Sequence, residues 1–112
     1  MLIVREPINT SVVQELALQR FGDMVKAVVD IEQEIMALGG DLHADEEKVL
    51  IDQGSMQENL WGINIYPDLP RSEWIEFDSM INIRPRQDNR SRSVEDKTIQ
   101  EKIVTIVNRL II

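Results

Sequence analysis

Residues Met24 to Leu42 read MVKAVVDIEQEIMALGGDL, two apolar segments separated by the polar triplet Glu32-Gln33-Glu34. Valine and isoleucine are enriched in strands, because their branched side chains pack well on a pleated surface. The segment therefore predicts a β-hairpin, with one strand over 24–31 and the other over 35–42. A helix over 24–38 is the alternative, because glutamate and glutamine favour helices and no glycine or proline interrupts that range.

The residues before the hairpin predict one strand and one helix. Leu2 to Val4 are apolar and form a short strand, which ends before the proline that follows. A short amphipathic helix over about residues 11–20 comes next, with Thr10 or Ser11 as its N-cap. Gly22 supplies the left-handed residue that commonly follows a helix.

The residues after the hairpin strands predict a helix and a second hairpin. Gly39-Gly40 marks a bulge, a strand end or a close approach of the backbone. Acidic residues in His43 to Glu47 favour a helix start by complementing the helix dipole, and Gly54 ends that helix. Trp61 to Tyr66 and Trp74 to Arg84 both alternate in polarity, which predicts two strands.

The last helix has the strongest signal in the chain. Ser93 can cap it, Asp96 stands at the third following position, and apolar residues recur at helical spacing at Ile99, Ile103, Ile106, Val107 and Leu110. The order strand, helix, hairpin, helix, hairpin, helix predicts an α+β fold. We expect a mainly antiparallel sheet of about five strands, with three helices on one face.

Length and composition limit the classes of protein to consider. A chain of 112 residues fits a single domain, residues 1–112, and 43% apolar residues is ordinary for a globular protein. The absence of cysteine excludes disulfides and thiol catalysis, and fits a cytoplasmic location. No apolar run approaches the length of a membrane span. Because 20 acids oppose 12 bases, we expect no nucleic-acid or membrane partner.

A cluster of arginines reverses the sign of charge locally. Four of the eight arginines lie within nine residues: Arg84, Arg86, Arg90 and Arg92. Guanidinium groups bind carboxylates and phosphates bidentately, and the cluster leads into a helix N-terminus, which favours anions. Asn89 and Ser91 add neutral donors, so we predict an anion-binding loop. The alternatives are internal pairing with Asp88, Glu95 and Asp96, or contact with the acidic surface of a second subunit.

Two further groups could carry chemistry. His43 has a side chain that titrates near neutrality and has acidic neighbours, so it is a candidate acid or base together with Asp78. The spacing around His43 matches no metal motif, and no metal site or cofactor is predicted. Polar residues at alternate positions, Asn64, Asp78, Asn82 and Arg84, could line a pocket, although an antiparallel sheet normally leaves one face in water.

Several segments together indicate a family. The chain contains RFGDMVKAVVDIE (20–32), GGDLHADEE (39–47), LWGINIYPDLP (60–70), WIEFDSMINIRP (74–85), NRSR (89–92) and VED (94–96). These segments cover nearly the whole chain and resemble a family of small prokaryotic proteins classed as a domain of unknown function. The resemblance implies one stand-alone domain and brings no activity or catalytic residue.

Two functions remain open from the sequence. The first is a cytoplasmic binding module whose arginines engage a small anionic ligand or an acidic partner surface. We expect it to form a homo-oligomer, because Leu110, Ile111 and Ile112 would otherwise have little chain to cover them. The second is a small enzyme acting on a phosphorylated substrate, with the arginines as a charge clamp and His43 or Asp78 as acid or base.

Overall fold

The computed structural model describes all residues from Met1 to Ile112. Its strands and helices in chain order are β1 Leu2–Val4, α1 Thr10–Gln19, β2 Val25–Asp30, β3 Ile35–Gly40, α2 His43–Asp52, β4 Leu60–Ile65, β5 Ile75–Glu76 and α3 Lys97–Leu110. The five strands form one sheet in the order β1-β3-β2-β4-β5, and every neighbouring pair is antiparallel. The predicted α+β class is confirmed.

Residues 24–38 form a hairpin and not a helix. The buried side chain of Asp30 holds the turn, because its Oδ1 accepts hydrogen bonds from the backbone N–H groups of Glu32 and Gln33, both at 2.9 Å. Glu34 completes the turn with a φ of 58°. The polar triplet between the two apolar segments is therefore the connection that the hairpin prediction required.

A bulge and a close contact account for the two adjacent glycines. The register between β2 and β3 shifts between Lys26 and Ala27, which leaves Gly39 unpaired with a φ of 87°. A Cβ added to Gly40 would lie 2.9 Å from Cγ of Glu46. The bulge thus lets α2 approach the sheet closely at its first turn.

Helices cover both faces of the sheet, so the expected placement of all three on one face is wrong. On one face α1 and α3 pack in the larger core through Val13, Ala17, Ile103, Ile106, Val107 and Leu110. On the other face Leu50 of α2 packs against Val28 and Ala37. The physical reason is that the hairpin strands are apolar at both alternating positions, and each apolar face requires a cover.

The predicted strand from Trp74 to Arg84 is also wrong beyond its first residues. β5 ends at Glu76, and Met80–Asn82 forms a 3-10 turn. Asn82 is fully buried, and its Oδ1 accepts from the Gly62 N–H at 2.8 Å while its Nδ2 donates to the Gly62 carbonyl at 2.9 Å. The amide of Asn82 thereby replaces the main chain that a longer β5 would have offered to β4.

Helix caps differ from those expected. Asp96 itself caps α3, because its Oδ1 accepts from the N–H groups of Thr98 at 2.8 Å and Ile99 at 3.3 Å. Asn9 caps α1, in place of the residues proposed for that role. In each case the carboxylate or amide side chain one position before the helix captures the free N–H groups.

The chain itself covers most of the apolar residues at the end of α3. Their expected exposure, from which a homo-oligomer was predicted, is therefore not found. Leu110 and Ile111 are buried, and Ile111 forms a bridge with Ile8, while Ile112 alone remains exposed. No helix combines the length and the apolar composition needed to cross a membrane.

Replacing Asn82 by Ala should destabilise the fold strongly. The change leaves both polar groups of Gly62 without their partners in a buried place, and we expect the free energy of unfolding in urea to fall by about 2–4 kcal/mol. Asn108→Ala removes an exposed amide from α3 and serves as the control, with little change expected. Equal stability of the two variants would contradict this role of Asn82.

Candidate functional site

The segment from Arg84 to Arg92, called here the arginine loop, is organised around a buried amide. Asn89 is 3% exposed, and its Nδ2 donates to the carbonyl oxygens of Asn82 and Ser93, both at 2.7 Å. Its Oδ1 accepts from the N–H of Glu95 at 2.9 Å. The predicted ligand donor Asn89 therefore holds the loop and has no free group for a ligand.

One arginine of the loop is used to attach it to the sheet. The guanidinium of Arg84 donates to three carbonyl oxygens, those of Gln57, Leu60 and Ile81. It also lies 3.5 Å from Oε2 of Glu47 on α2. Burial lowers the pKa of Arg84 and the carboxylate of Glu47 opposes that effect. Arg84 is thus a structural residue and cannot serve as the predicted anion ligand.

The other three arginines divide into one paired and two free side chains. Nε of Arg92 lies 2.5 Å from Oδ1 of Asp78, in an exposed ion pair. Arg86 and Arg90 are exposed, and neither guanidinium forms a hydrogen bond or an ion pair within the chain; of Arg90 only the backbone N–H is bound, by Glu95. Two of the four predicted positive charges are therefore available to a partner.

The backbone groups that could bind a phosphate are already occupied. The N–H groups of Arg90 and Ser91 both donate to Oε2 of Glu95, each at 2.9 Å. Hydrogen bonds from the side chain of Ser91 and from the backbone N–H groups of Ser91 and Arg90 hold the pKa of Glu95 below its ordinary value. Asp96 occupies the start of α3 in the same way. The carboxylates of Glu95 and Asp96 therefore bind the backbone N–H groups that an inorganic anion would need.

A second polar region lies on the sheet face that α2 covers. Lys26, Asn64 and Glu76 stand opposite one another on β2, β4 and β5, and are called here the polar row. Nδ2 of Asn64 donates to Oε1 of Glu76 at 2.8 Å, and the hydroxyl of Tyr66 donates to the same oxygen at 3.3 Å. Oδ1 of Asn64 is buried without a partner.

The predicted row of alternate polar residues exists only in part. Asn64 keeps its place on the strand, but Asn82 and Arg84 have left the sheet because β5 ends early. Lys26 and Glu76 take the positions beside Asn64 instead. Which polar residues lie side by side depends on the register between strands, and alternation along one strand does not determine that register.

His43 lies beside this region and is held in one orientation. Its Nε2 donates to the carbonyl oxygen of Ile63 at 2.7 Å. Burial lowers the pKa of His43, and the hydrogen bond to Ile63 opposes that effect. The positive charges of Lys26 and Arg92 lower the pKa and the negative charge of Asp78 raises it, each by less. Asp78 and Arg92 pair with each other, and neither forms a hydrogen bond or an ion pair with His43, whose one bond is to Ile63.

Glu46 is a polar residue whose place the sequence analysis missed. It is fully buried, its Oε2 accepts from the Gly40 N–H at 3.0 Å, and its Oε1 has no partner. Burial raises the pKa of Glu46 to about 8. Its spacing from His43 and Leu50, three and four residues, places all three on the inner face of α2, and that spacing was the available signal.

Metal binding has no support in the side-chain arrangement. No three or more His, Asp or Glu side chains are placed to hold one ion. The buried acid and the histidine of α2 are explained by hydrogen bonds to the backbone of β3 and β4.

Fold and site together define a small α+β protein with a hydrogen-bonded loop that carries two free arginines, and a polar row beside a buried histidine. The chain belongs to the family described as protein of unknown function (DUF5674), whose profile matches residues 2–110. This confirms the family resemblance seen in the sequence. No curated protein and no solved structure matches the chain.

The raised pKa of Glu46 makes stability depend on pH. Because its folded pKa of about 8 exceeds the ordinary value of 4.5, the folded state retains a proton that the unfolded state releases between these pH values. The free energy of unfolding should therefore fall as pH rises from 4.5 to 8, at up to about 1.4 kcal/mol per pH unit from this group.

Thermal unfolding across that pH range measures the effect. Glu46→Gln should flatten the fall, since the amide cannot ionise, while the matched control Glu101→Gln at an exposed position of α3 should leave it unchanged. The same pH dependence in wild type and Glu46→Gln would show that Glu46 is ionised in the folded protein.

Proposed function

We propose that the protein is a binding module whose arginine loop engages an acidic surface of a partner protein through Arg86 and Arg90. The observation that carries the proposal is that these two guanidinium groups are exposed and unpaired, while Arg84, Arg92 and Asn89 fix the loop beneath them. Arginine presents a planar fork that binds carboxylates bidentately.

A preorganised loop strengthens such a contact. Binding by a flexible loop would lose backbone entropy. This loop is already held by hydrogen bonds to β4 and to Glu95, and by the ion pair with Glu47 of α2. Association then orders only the two side chains and the groups of the partner that they meet. The loop thus supplies affinity without requiring a folding step.

An acidic protein surface fits better than a small phosphate. A phosphate site normally adds backbone N–H donors to the arginines, and here Glu95 and Asp96 occupy those donors. The net charge of -8 repels acidic molecules at long range, so binding depends on local positive groups such as Arg86 and Arg90. Attraction at a local group favours a specific orientation of the partner.

Titration with a deca-glutamate peptide at low ionic strength tests the proposal. We expect salt-sensitive binding that weakens about tenfold or more in the double variant Arg86→Ala, Arg90→Ala, because two charge-assisted contacts are lost. The control variant Lys97→Ala, Lys102→Ala removes the same charge from exposed positions of α3 and should bind nearly as wild type does. Equal weakening in both variants, or no binding by wild type, would contradict a site at the loop.

A second candidate function is acid or base catalysis on a phosphorylated substrate at His43. The observation that favours it is that the bond from Nε2 to Ile63 fixes the tautomer, which leaves the lone pair on Nδ1. The lowered pKa keeps the imidazole neutral at pH 7, as a general base requires. Lys26 and Arg92 supply positive charge close enough to affect this histidine.

An NMR titration of His43 with and without glycerol phosphate tests the second candidate. The titration midpoint should lie below 6.5 in the free protein and rise when the phosphate binds, because a nearby dianion stabilises the imidazolium. Arg92→Ala should abolish the rise. Arg20→Ala, which breaks the exposed pair with Asp41, should preserve it. An unchanged midpoint in saturating phosphate would eliminate this candidate.

A further inference from the structure

Two exposed apolar side chains lie in the segment that leads into the arginine loop. Met80 is 65% exposed and Ile83 is 40% exposed, and neither packs against the two clusters of buried apolar residues. Apolar residues scattered singly on a surface are normal and need no explanation. These two differ, because they stand side by side and adjoin one of the free arginines.

The 3-10 turn sets Met80 and Ile83 beside each other. The Ile83 N–H donates to the Met80 carbonyl at 3.2 Å, and side chains three positions apart eclipse one another in such a turn. The same spacing places Ser79 and Asn82 together, and both of these are buried. The turn therefore has an inner face, which holds Asn82 against β4, and an outer face that consists of Met80 and Ile83.

A pair of backbone hydrogen bonds places Ile83 next to Arg90. Arg84 and Asn89 form an isolated antiparallel bridge, in which each N–H donates to the carbonyl of the other residue, at 2.6 and 3.1 Å. Side chains alternate in direction along an extended chain. Because those of Arg84 and Asn89 turn inward to bonds within the chain, those of the neighbouring pair, Ile83 and Arg90, turn outward together. Met80, Ile83 and Arg90 thus form one continuous surface, called here the strip.

The acidic side chains near the loop lie around a different feature. They line a cavity of about 350 Å³ beside α3, to which no residue of the strip contributes: Asp88, Glu95 and Asp96. Asp78, which precedes the 3-10 turn, is paired with Arg92. The free guanidinium of Arg90 therefore carries the charge next to the apolar pair.

We propose that the strip binds a segment of a partner protein in which an apolar side chain is flanked by carboxylates. The inference rests on the proposed binding function of the arginine loop and names the kind of partner that fits it. The apolar side chain packs on Met80 and Ile83, and a neighbouring carboxylate binds the guanidinium of Arg90. Methionine suits such a contact, because its unbranched, polarisable side chain adapts to apolar groups of different shapes.

The chemistry of the strip favours a protein segment over a phosphate or a nucleic acid. A phosphate backbone has no apolar side chain with which to cover Met80 and Ile83. The backbone N–H groups of Arg90 and Ser91, which would bind phosphate oxygens, already donate to Glu95. A purely apolar partner would remove water from the guanidinium of Arg90 without replacing it. A segment that joins carboxylates to an apolar residue satisfies both halves of the strip.

Two decapeptides of equal charge test the proposal. Each has eight glutamates, with two leucines in the middle of one peptide and two serines in the middle of the other. Wild-type protein should bind the leucine peptide about tenfold more tightly, because leucine buries apolar area on the strip and serine does not. Added sodium chloride should weaken the binding of both peptides and leave the ratio of their affinities nearly unchanged, since salt screens the charges that the two share.

The double variant Met80→Gln, Ile83→Thr assigns the preference to the strip. It should bind the two peptides equally, and the serine peptide as wild type does, because both free arginines remain. The matched control is Val12→Thr, Leu18→Gln, which removes two apolar side chains of similar exposure, 38% and 74%, from α1 and should keep the tenfold preference. All four positions are exposed, so both variants should unfold at nearly the temperature of wild type.

The outcomes separate this inference from the proposed function. Equal affinity of wild type for the two peptides, or a preference that survives in Met80→Gln, Ile83→Thr, would overturn the apolar contact and leave the proposed function standing. Binding of neither peptide would contradict both. A ¹³C-methyl resonance of Met80 that moves when the free protein is diluted would show a second copy on the strip, and a separate partner would then be ruled out as its occupant.

Discussion

The amide of Asn82 on the backbone of Gly62 is the interaction on which the rest of the structure depends. It satisfies both polar groups of Gly62 on the edge of β4, where a longer β5 would otherwise pair. A glycine at position 62 permits the segment that carries Asn82 to pack this closely, because a Cβ there would lie 2.6 Å from the side chain of Ser79. Because the side chain of Asn82 takes the place of a strand residue, the main chain after Glu76 leaves the sheet. It then forms the arginine loop and leads to the start of α3.

The released segment keeps its shape because its polar groups are satisfied internally. Asn89 binds three carbonyl oxygens and one N–H, and Arg84 ties the loop to the sheet and to α2. The carboxylates of Glu95 and Asp96 complete the backbone hydrogen bonds. A loop built in this way presents Arg86 and Arg90 to solvent from a backbone that its own hydrogen bonds hold in place.

The sequence predicted features that local chemistry determines and missed those set by distant contacts. The hairpin followed from its valines and isoleucines, and α3 from its apolar spacing. The opposite placement of α2 was hidden because Val28 and Ala37, on the second face, are apolar like the residues beside them. The arginine cluster was visible, but which arginines are free was not: Arg84 binds carbonyls up to 27 residues away, and Arg92 pairs with Asp78 across 14. Only Glu46 gave an unused signal, its spacing from His43 and Leu50.

The rigidity of the arginine loop is the central claim, and backbone hydrogen exchange measures it most directly. The N–H protons of Arg90 and Ser91 lie in an exposed loop, yet both donate to Glu95. The account predicts that they exchange far more slowly than unstructured amides at the same pH, together with the N–H of Gly62. Exchange of Arg90 and Ser91 at the rate of an unfolded peptide would show a mobile loop and would contradict the account.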